Sequence, residues 1–261
     1  MTPELFGALT QLTGLARETL FAMGIVFLRI GAAMAVLPAF GEQVVPMRVR
    51  LALALAFTLI VAPAVTPEAA ALAARPNGWF RALATETMAG LLIGIGLRLF
   101  IHALQTAGTM AAQATSLAQF FGGAGVDPQP AISQLLVMAG LALAVMAGLH
   151  VRLAELLILS YALMPAGEFP AGWAVAGWGT AQVARAFALA FSLAAPFVVA
   201  ALIYNMALGA INRAMPQLMV AFVGAPALTW GGLALLLLVV PVALTVWIAA
   251  LGAFLADPFA P

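Results

Sequence analysis

The sequence predicts an all-α membrane protein with about six apolar helical regions. Three observations carry this. First, 65% of the 261 residues are hydrophobic and only 7% are charged, against about 45–50% and about 25% in a soluble domain. Second, the apolar residues fall into long runs, several near the ~20 residues a helix needs to cross a ~30 Å hydrocarbon core. Third, the alternating ten-residue pattern of a membrane β-barrel is missing.

The first apolar run spans about Leu20 to Leu37 and contains Arg29. No basic n-region or small-residue cleavage site precedes it, so this run is expected to be retained. The second, Val49 to Val65, follows the charged cluster Glu42–Arg50 and is expected to stop near Pro63 and Pro67, because proline lacks the helical N–H. The third, Leu83 to Leu104 or beyond, holds Glu86, Arg98 and His102. The fourth starts near Ala131 and either stops near Leu149 or runs on to Met164. A Pro- and Gly-rich loop is expected from Pro165 to Gly179. The fifth is Val183 to Ile211 with Pro196 inside, and the sixth runs from Leu218 to Leu255. That last run is long enough for two segments, with Pro226 and Pro241 as expected kinks. The last two regions outrun one crossing, so they either tilt or pack against other subunits.

Composition excludes several functions. Net charge is +1, all ten basic residues are Arg, and cysteine is absent. This leaves no basic footprint for nucleic acid, and no disulfide or thiolate site. The two histidines, His102 and His150, lie far apart and in no HExxH motif. Ser116, Ser133, Ser160 and Ser192 lie in no GxSxG turn. The chain therefore reads as no enzyme, with no cofactor and no metal. Loop arginines do not orient it: Arg48, Arg50 and Arg213 fall on one side of a six-span arrangement, and Arg17, Arg75, Arg81, Arg152 and Arg185 on the other.

Ionisable residues inside apolar runs are functional candidates, since burying charge in hydrocarbon is costly. Arg29, Glu86, Arg98 and His102 qualify. They either pair with neighbouring helices and fix assembly, or line a pathway in a small-solute permease. Gly90 and Gly94 form a GxxxG match that lets helices approach closely. The stretch Gln105–Gln134 is more polar than its flanks, and includes Met110, Phe120, Phe121 and the glycines Gly122, Gly123 and Gly125. Polar, Gly-rich backbone at membrane depth must be buried in protein or line a cavity. It reads as a gating loop, with an ordinary surface loop as the alternative.

Three blocks carry a resemblance to a known family. The first is Arg29, then Pro38-Ala39-Phe40-Gly41-Glu42, Pro46, Arg48 and Arg50, ending in Ala62-Pro63. The second is Ala107-Gly108, Gln113 and Asp127-Pro128. The third is Asn205, Gly209, Asn212-Arg213, Pro216-Gln217-Leu218, then Phe222, Gly224 and Pro226. Spread over nearly the whole chain, they resemble the FliR (SctT) family of type III export-gate proteins.

That resemblance implies a fold, a role and partners. The fold is one of helical hairpins, with FliP-like and FliQ-like halves in a helical gate assembly. The role is a single-copy subunit of the flagellar gate, in the bacterial inner membrane at the basal body, through which unfolded flagellar subunits leave the cytoplasm, driven chiefly by proton motive force. The partners are FliP-like, FliQ-like and FlhB-like subunits, the exported chains and membrane lipid. The equivalent injectisome subunit is the alternative within the family. The family's plug loop maps onto Gln113–Gln129, with Met110, Gln113, Phe120, Phe121, Gly122, Gly123, Gly125, Asp127 and Pro128 as candidate plug residues. Here this chain has Ala107-Gly108-Thr109 where the family commonly has Ala-Gly-Glu. The remaining motif residues (Arg29, Pro38, Glu42, Pro46, Arg48, Arg50, Asn205, Gly209, Asn212, Arg213, Pro216, Gln217, Gly224, Pro226) are expected to serve assembly.

Overall fold

The structure, a computed structural model, describes residues 3–41, 45–73, 75–115, 130–215 and 220–259. Among them there are seven helices and no strand: α1 Pro3–Val36, α2 Met47–Ala73, α3 Gly78–Thr115, α4 Ala131–Met146, α5 Leu149–Leu163, α6 Gly172–Ala214 and α7 Val220–Ala256. Five helices are long and apolar enough to cross a membrane, or six if α4 and α5 count as one broken span.

Several boundaries differ from the sequence expectation. α1 starts at Pro3, more than four turns ahead of the apolar run at Leu20, and ends where Pro38 follows and Ala39 takes φ 66°. α2 does not stop at its prolines but runs through both Pro63 and Pro67. One face of α2 buries Ala54, Phe57, Val61, Val65, Ala69 and Leu72, and α1 and α5 pack on this helix. Ending it at Pro63 would expose free backbone groups to an apolar surround, which costs more than the hydrogen bond each proline removes. The fourth region breaks: Gly148 adopts φ 82° between α4 and α5, a left-handed conformation that glycine takes without a Cβ penalty. The expected loop Pro165–Gly179 is helical from Gly172 onward. α7 stays one helix through Pro226 and Pro241, not two segments. The polar stretch 105–134 is helical at both ends, Gln105–Thr115 in α3 and Ala131–Gln134 in α4.

The chain forms two compact units. Unit 1 comprises Met1–Arg98, Gly148–Gly179 and Phe254–Pro261; unit 2 comprises Leu99–Ala147 and Thr180–Ala253. In unit 1, α1, α2, α5 and the first part of α3 bury Ile25, Ile30, Leu72, Ile93, Leu97, Leu153 and Leu156. The α1–α3 contact is close: a Cβ on Gly90 would sit 2.1 Å from the Arg29 carbonyl oxygen, and one on Gly94 2.9 Å from that of Ala33. Unit 2 has its own tight joints. A Cβ on Gly108 of α3 would lie 2.3 Å from Ser133 Cα of α4, and Ser133 Oγ donates to the Gln105 carbonyl at 3.1 Å. Trp247 of α7, 1% exposed, donates its indole N–H to the Phe100 carbonyl at 2.9 Å.

Candidate functional site: a buried charged node and an open helical face

The close α1–α3 approach at Gly90 sets Arg29 beside Glu86, one helical turn along α3. Both are almost wholly buried, 1% and 0% exposed, and Arg29 Nε donates to Glu86 Oε2 at 2.8 Å. The guanidinium is satisfied in three directions. Its Nη1 donates to Ser160 Oγ at 3.0 Å and its Nη2 to the Met164 carbonyl at 2.8 Å. The other Glu86 oxygen accepts the Gly167 N–H at 3.0 Å and faces the Thr85 hydroxyl at 3.4 Å. The Arg29 guanidinium carbon also lies 3.6 Å from the Tyr161 ring centroid, within cation–π range.

Arginine suits this node because its planar fork reaches separated acceptors, which a lysine point charge cannot do. The node ties α1, α3, α5 and the turn after α5 into one joint. One polar atom is left over: the buried Tyr161 hydroxyl finds no hydrogen-bond partner among the described residues. The arrangement pairs charge. It presents no group of three or more His, Cys, Asp or Glu side chains that could hold a metal among the described residues.

The other intramembrane candidates sit apart from this node, each with its own partner. Arg98, half-buried, donates to the Val36 carbonyl at 3.3 Å. His102 is exposed, with Nδ1 2.9 Å from Gln105 Oε1. The pathway expected for a permease is therefore not what Glu86 builds; its carboxylate is consumed by Arg29, Gly167 and Thr85.

The motif residues have varied settings. Pro38 is buried just past α1. The exposed Pro46 accepts the N–H groups of Val49 and Arg50 and opens α2. Arg48 is exposed, and Arg50 Nε donates to the Val45 carbonyl at 3.1 Å. Asn205, Gly209, Asn212 and Arg213 are all exposed on α6. Gly224 is buried, where a Cβ would meet the Tyr204 hydroxyl at 2.2 Å; Pro226 lies within α7. Met110 is half-buried and Gln113 exposed, both on α3. Glu42, Phe120, Phe121, Gly122, Gly123, Gly125, Asp127, Pro128, Pro216 and Gln217 lie outside the described residues.

Sequence reasoning missed Ser160, Tyr161 and the backbone of Met164 and Gly167 as parts of the node. The only signal for them was polar side chains within an apolar run, and backbone groups give none.

The second feature is an open face. Only 28% of the most apolar window of α6, and 11% of that of α7, is buried within the chain. Asn205, Gly209 and Asn212 follow each other at i, i+4 and i+7, so they share one exposed face of α6. Polar side chains on an otherwise apolar helix hydrogen-bond across helix interfaces in membranes, and small residues let backbones approach.

A helical bundle that joins its few buried charges internally and leaves two long apolar helices largely uncovered is a multi-pass membrane protein built to sit in lipid or among other subunits. Residues 20–254 match the family described as "Bacterial export proteins, family 1", and the chain belongs to that family. It is 33% identical over 229 residues to the flagellar biosynthetic protein FliR of Caulobacter vibrioides, covering 87% of this chain and 91% of that protein. It is 26% identical to FliR of Escherichia coli K12, covering 82% of each. With FliR of Aquifex aeolicus it shares 28% identity, over 87% of this chain and 88% of that one.

Proposed function

We propose that this chain is a subunit of the flagellar type III protein-export gate and helps form the pore through which unfolded flagellar subunits leave the cytoplasm. Its assembly partners are FliP-like and FliQ-like subunits, with an FlhB-like subunit associated. The observation that carries this reading is the open face of α6 and α7, where Asn205, Gly209 and Asn212 interrupt a surface that includes Phe187, Phe191, Leu202 and Met206. Asparagine amides facing hydrocarbon without partners are unfavourable; a neighbouring subunit's helix supplies those partners. The relatives' names favour the flagellar branch over an injectisome.

Native mass measurement after gentle detergent extraction tests this. The expected species is a hetero-oligomer holding one copy of this chain, and the double variant Asn205→Leu/Asn212→Leu is expected to lose partners while the free chain keeps its stability. A homogeneous oligomer with bound solute overturns the reading. The segment 113–129 is proposed as the pore's plug. Deleting residues 122–125 is expected to make membranes holding the intact assembly leak ions, and unchanged conductance would overturn that role.

A further inference from the structure

The last turn of α7 and the residues after it fold back onto the start of α6. α7 ends at Ala256. Pro258 cannot continue the helix, and Asp257 before it is driven out of the α region. The chain turns there, burying Pro258 and half-burying Phe259. Residues Phe254–Pro261 belong to unit 1 together with Gly148–Gly179, and every contact described next lies within that unit.

Trp178, in the second turn of α6, receives this segment. Its indole N–H donates to the Pro258 carbonyl at 2.8 Å, and its ring centroid lies 5.4 Å from that of Phe259. Gly96 of α3 completes the seat. A Cβ there would stand 2.7 Å from Phe254 Cζ and 3.2 Å from Trp178 Cη2, so glycine lets both rings reach α3.

The seat is firm on one side and loose on the other. The firm side is Met164, whose carbonyl accepts Arg29 Nη2 at 2.8 Å. The loose side is a cleft of about 210 Å³ between Leu92, Met164, Val175, Trp178 and Phe259. Well-packed interiors leave few voids larger than a water molecule, and unfilled space forfeits contacts for the groups that line it. Segments with few buried contacts open at low free energy while the rest of a fold stays closed. The geometry points to a releasable latch: residues 257–259 close on Trp178, fasten the end of α7 to α6 and α3, and open without unfolding the rest of unit 1. Closed, the latch holds in place a helix whose most apolar window is only 11% buried within the chain. Open, it frees that helix end to shift. The inference concerns the chain's own fold and does not depend on its export role.

The absence of native cysteine lets paired spin labels read the latch in the detergent-purified full chain. Trp173→Cys marks the start of α6, where the native side chain is 83% exposed, and Ala256→Cys marks the exposed end of α7. Ile60→Cys on α2 and Leu83→Cys on α3, both at exposed positions, form a control pair elsewhere in unit 1. Pulsed dipolar spectroscopy gives the distance distribution of each pair. The latch pair is expected to show one dominant short distance and a minor longer one. Trp178→Phe keeps a ring and loses the indole N–H. It is expected to raise the longer component about 2- to 13-fold relative to the short one, the worth of one ordinary hydrogen bond. Deleting residues 257–261 is expected to make the longer component dominant, with the control pair unchanged in both variants. A short distance that is missing from the parent, or that survives the deletion, overturns the latch. So does a control pair that broadens together with the latch pair in Trp178→Phe, because the contact then belongs to the common core and does not open by itself.

Discussion

Replacing Glu86 with glutamine should destabilise unit 1 far more than a one-atom change suggests. The carboxylate accepts Arg29 Nε with one oxygen and Gly167 N–H with the other. A glutamine amide has a single acceptor oxygen, so its NH2 must oppose one of those two donors. Glu86→Gln therefore orphans one donor and leaves the Arg29 charge, 1% exposed, without its counter-charge. Breaking a buried pair in this way costs about 3–5 kcal/mol. For a chain of this size that lowers the melting midpoint by about 6–20 °C. The assay is thermal unfolding of the detergent-purified chain, following helix content. Arg29→Met/Glu86→Leu removes both charges, and such apolar replacements are often neutral or stabilising. It is expected to melt above either single variant, with a coupling energy of about 0.5–3 kcal/mol. A Glu86→Gln midpoint within about 2 °C of the parent, under 1 kcal/mol on the same scale, refutes the reasoning. So does a double variant whose loss equals the sum of the singles.

Other substitutions probe the remaining joints. Tyr161→Phe keeps the ring over Arg29 and removes a buried hydroxyl with no described partner; it should melt no lower than the parent and gain up to about 1 kcal/mol, read in the same scan. Gly90→Ala pushes a Cβ against the Arg29 carbonyl; an overpacking penalty of about 1–3 kcal/mol should exceed the roughly 1 kcal/mol gained in helix propensity, lowering the midpoint. In unit 2, Trp247→Ala should cost about 3–5 kcal/mol. Trp247→Phe, which loses chiefly the indole bond to the Phe100 carbonyl, should cost about 0.5–1.5 kcal/mol; equal losses from the two would show that the indole N–H, not the ring, carries the packing.

The number and rough place of the long helices were legible because helices in hydrocarbon need long apolar runs, and composition shows those directly. Their ends were less so. Pro63, Pro67, Pro226 and Pro241 suggested stops or kinks from rules weighted toward water, where a chain leaving a helix regains solvent hydrogen bonds. In an apolar surround that gain is missing, and the helices continue through all four. The fourth run allows a stop near Leu149 or a continuation to Met164, and the structure breaks it at Gly148 and then continues to Leu163; nothing in the sequence chose between the two. Arg29 and Glu86 stood out as charges in apolar runs, but nothing selected one as the partner of the other. They are 57 residues apart, and helices apolar on most sides carry little periodic signal to show which face meets which neighbour. GxxxG at Gly90 was the one local clue, and it marks the place where the two helices touch.

The wiring of Arg29 also sets a timetable for synthesis. Its counter-charge lies 57 residues later, and its hydroxyl and carbonyl acceptors 131 and 135 residues later. At about 5–20 residues per second the ribosome needs about 3–11 s to deliver Glu86 after Arg29 has been made. An arginine at the centre of a membrane helix costs about 2.5–3.5 kcal/mol on insertion scales. α1 is therefore poorly suited to partition into lipid by itself and is better retained at the insertion machinery until α3 arrives. Entry of the first three helices as a group would avoid that cost, and the joint cannot close before the turn after α5 has been translated.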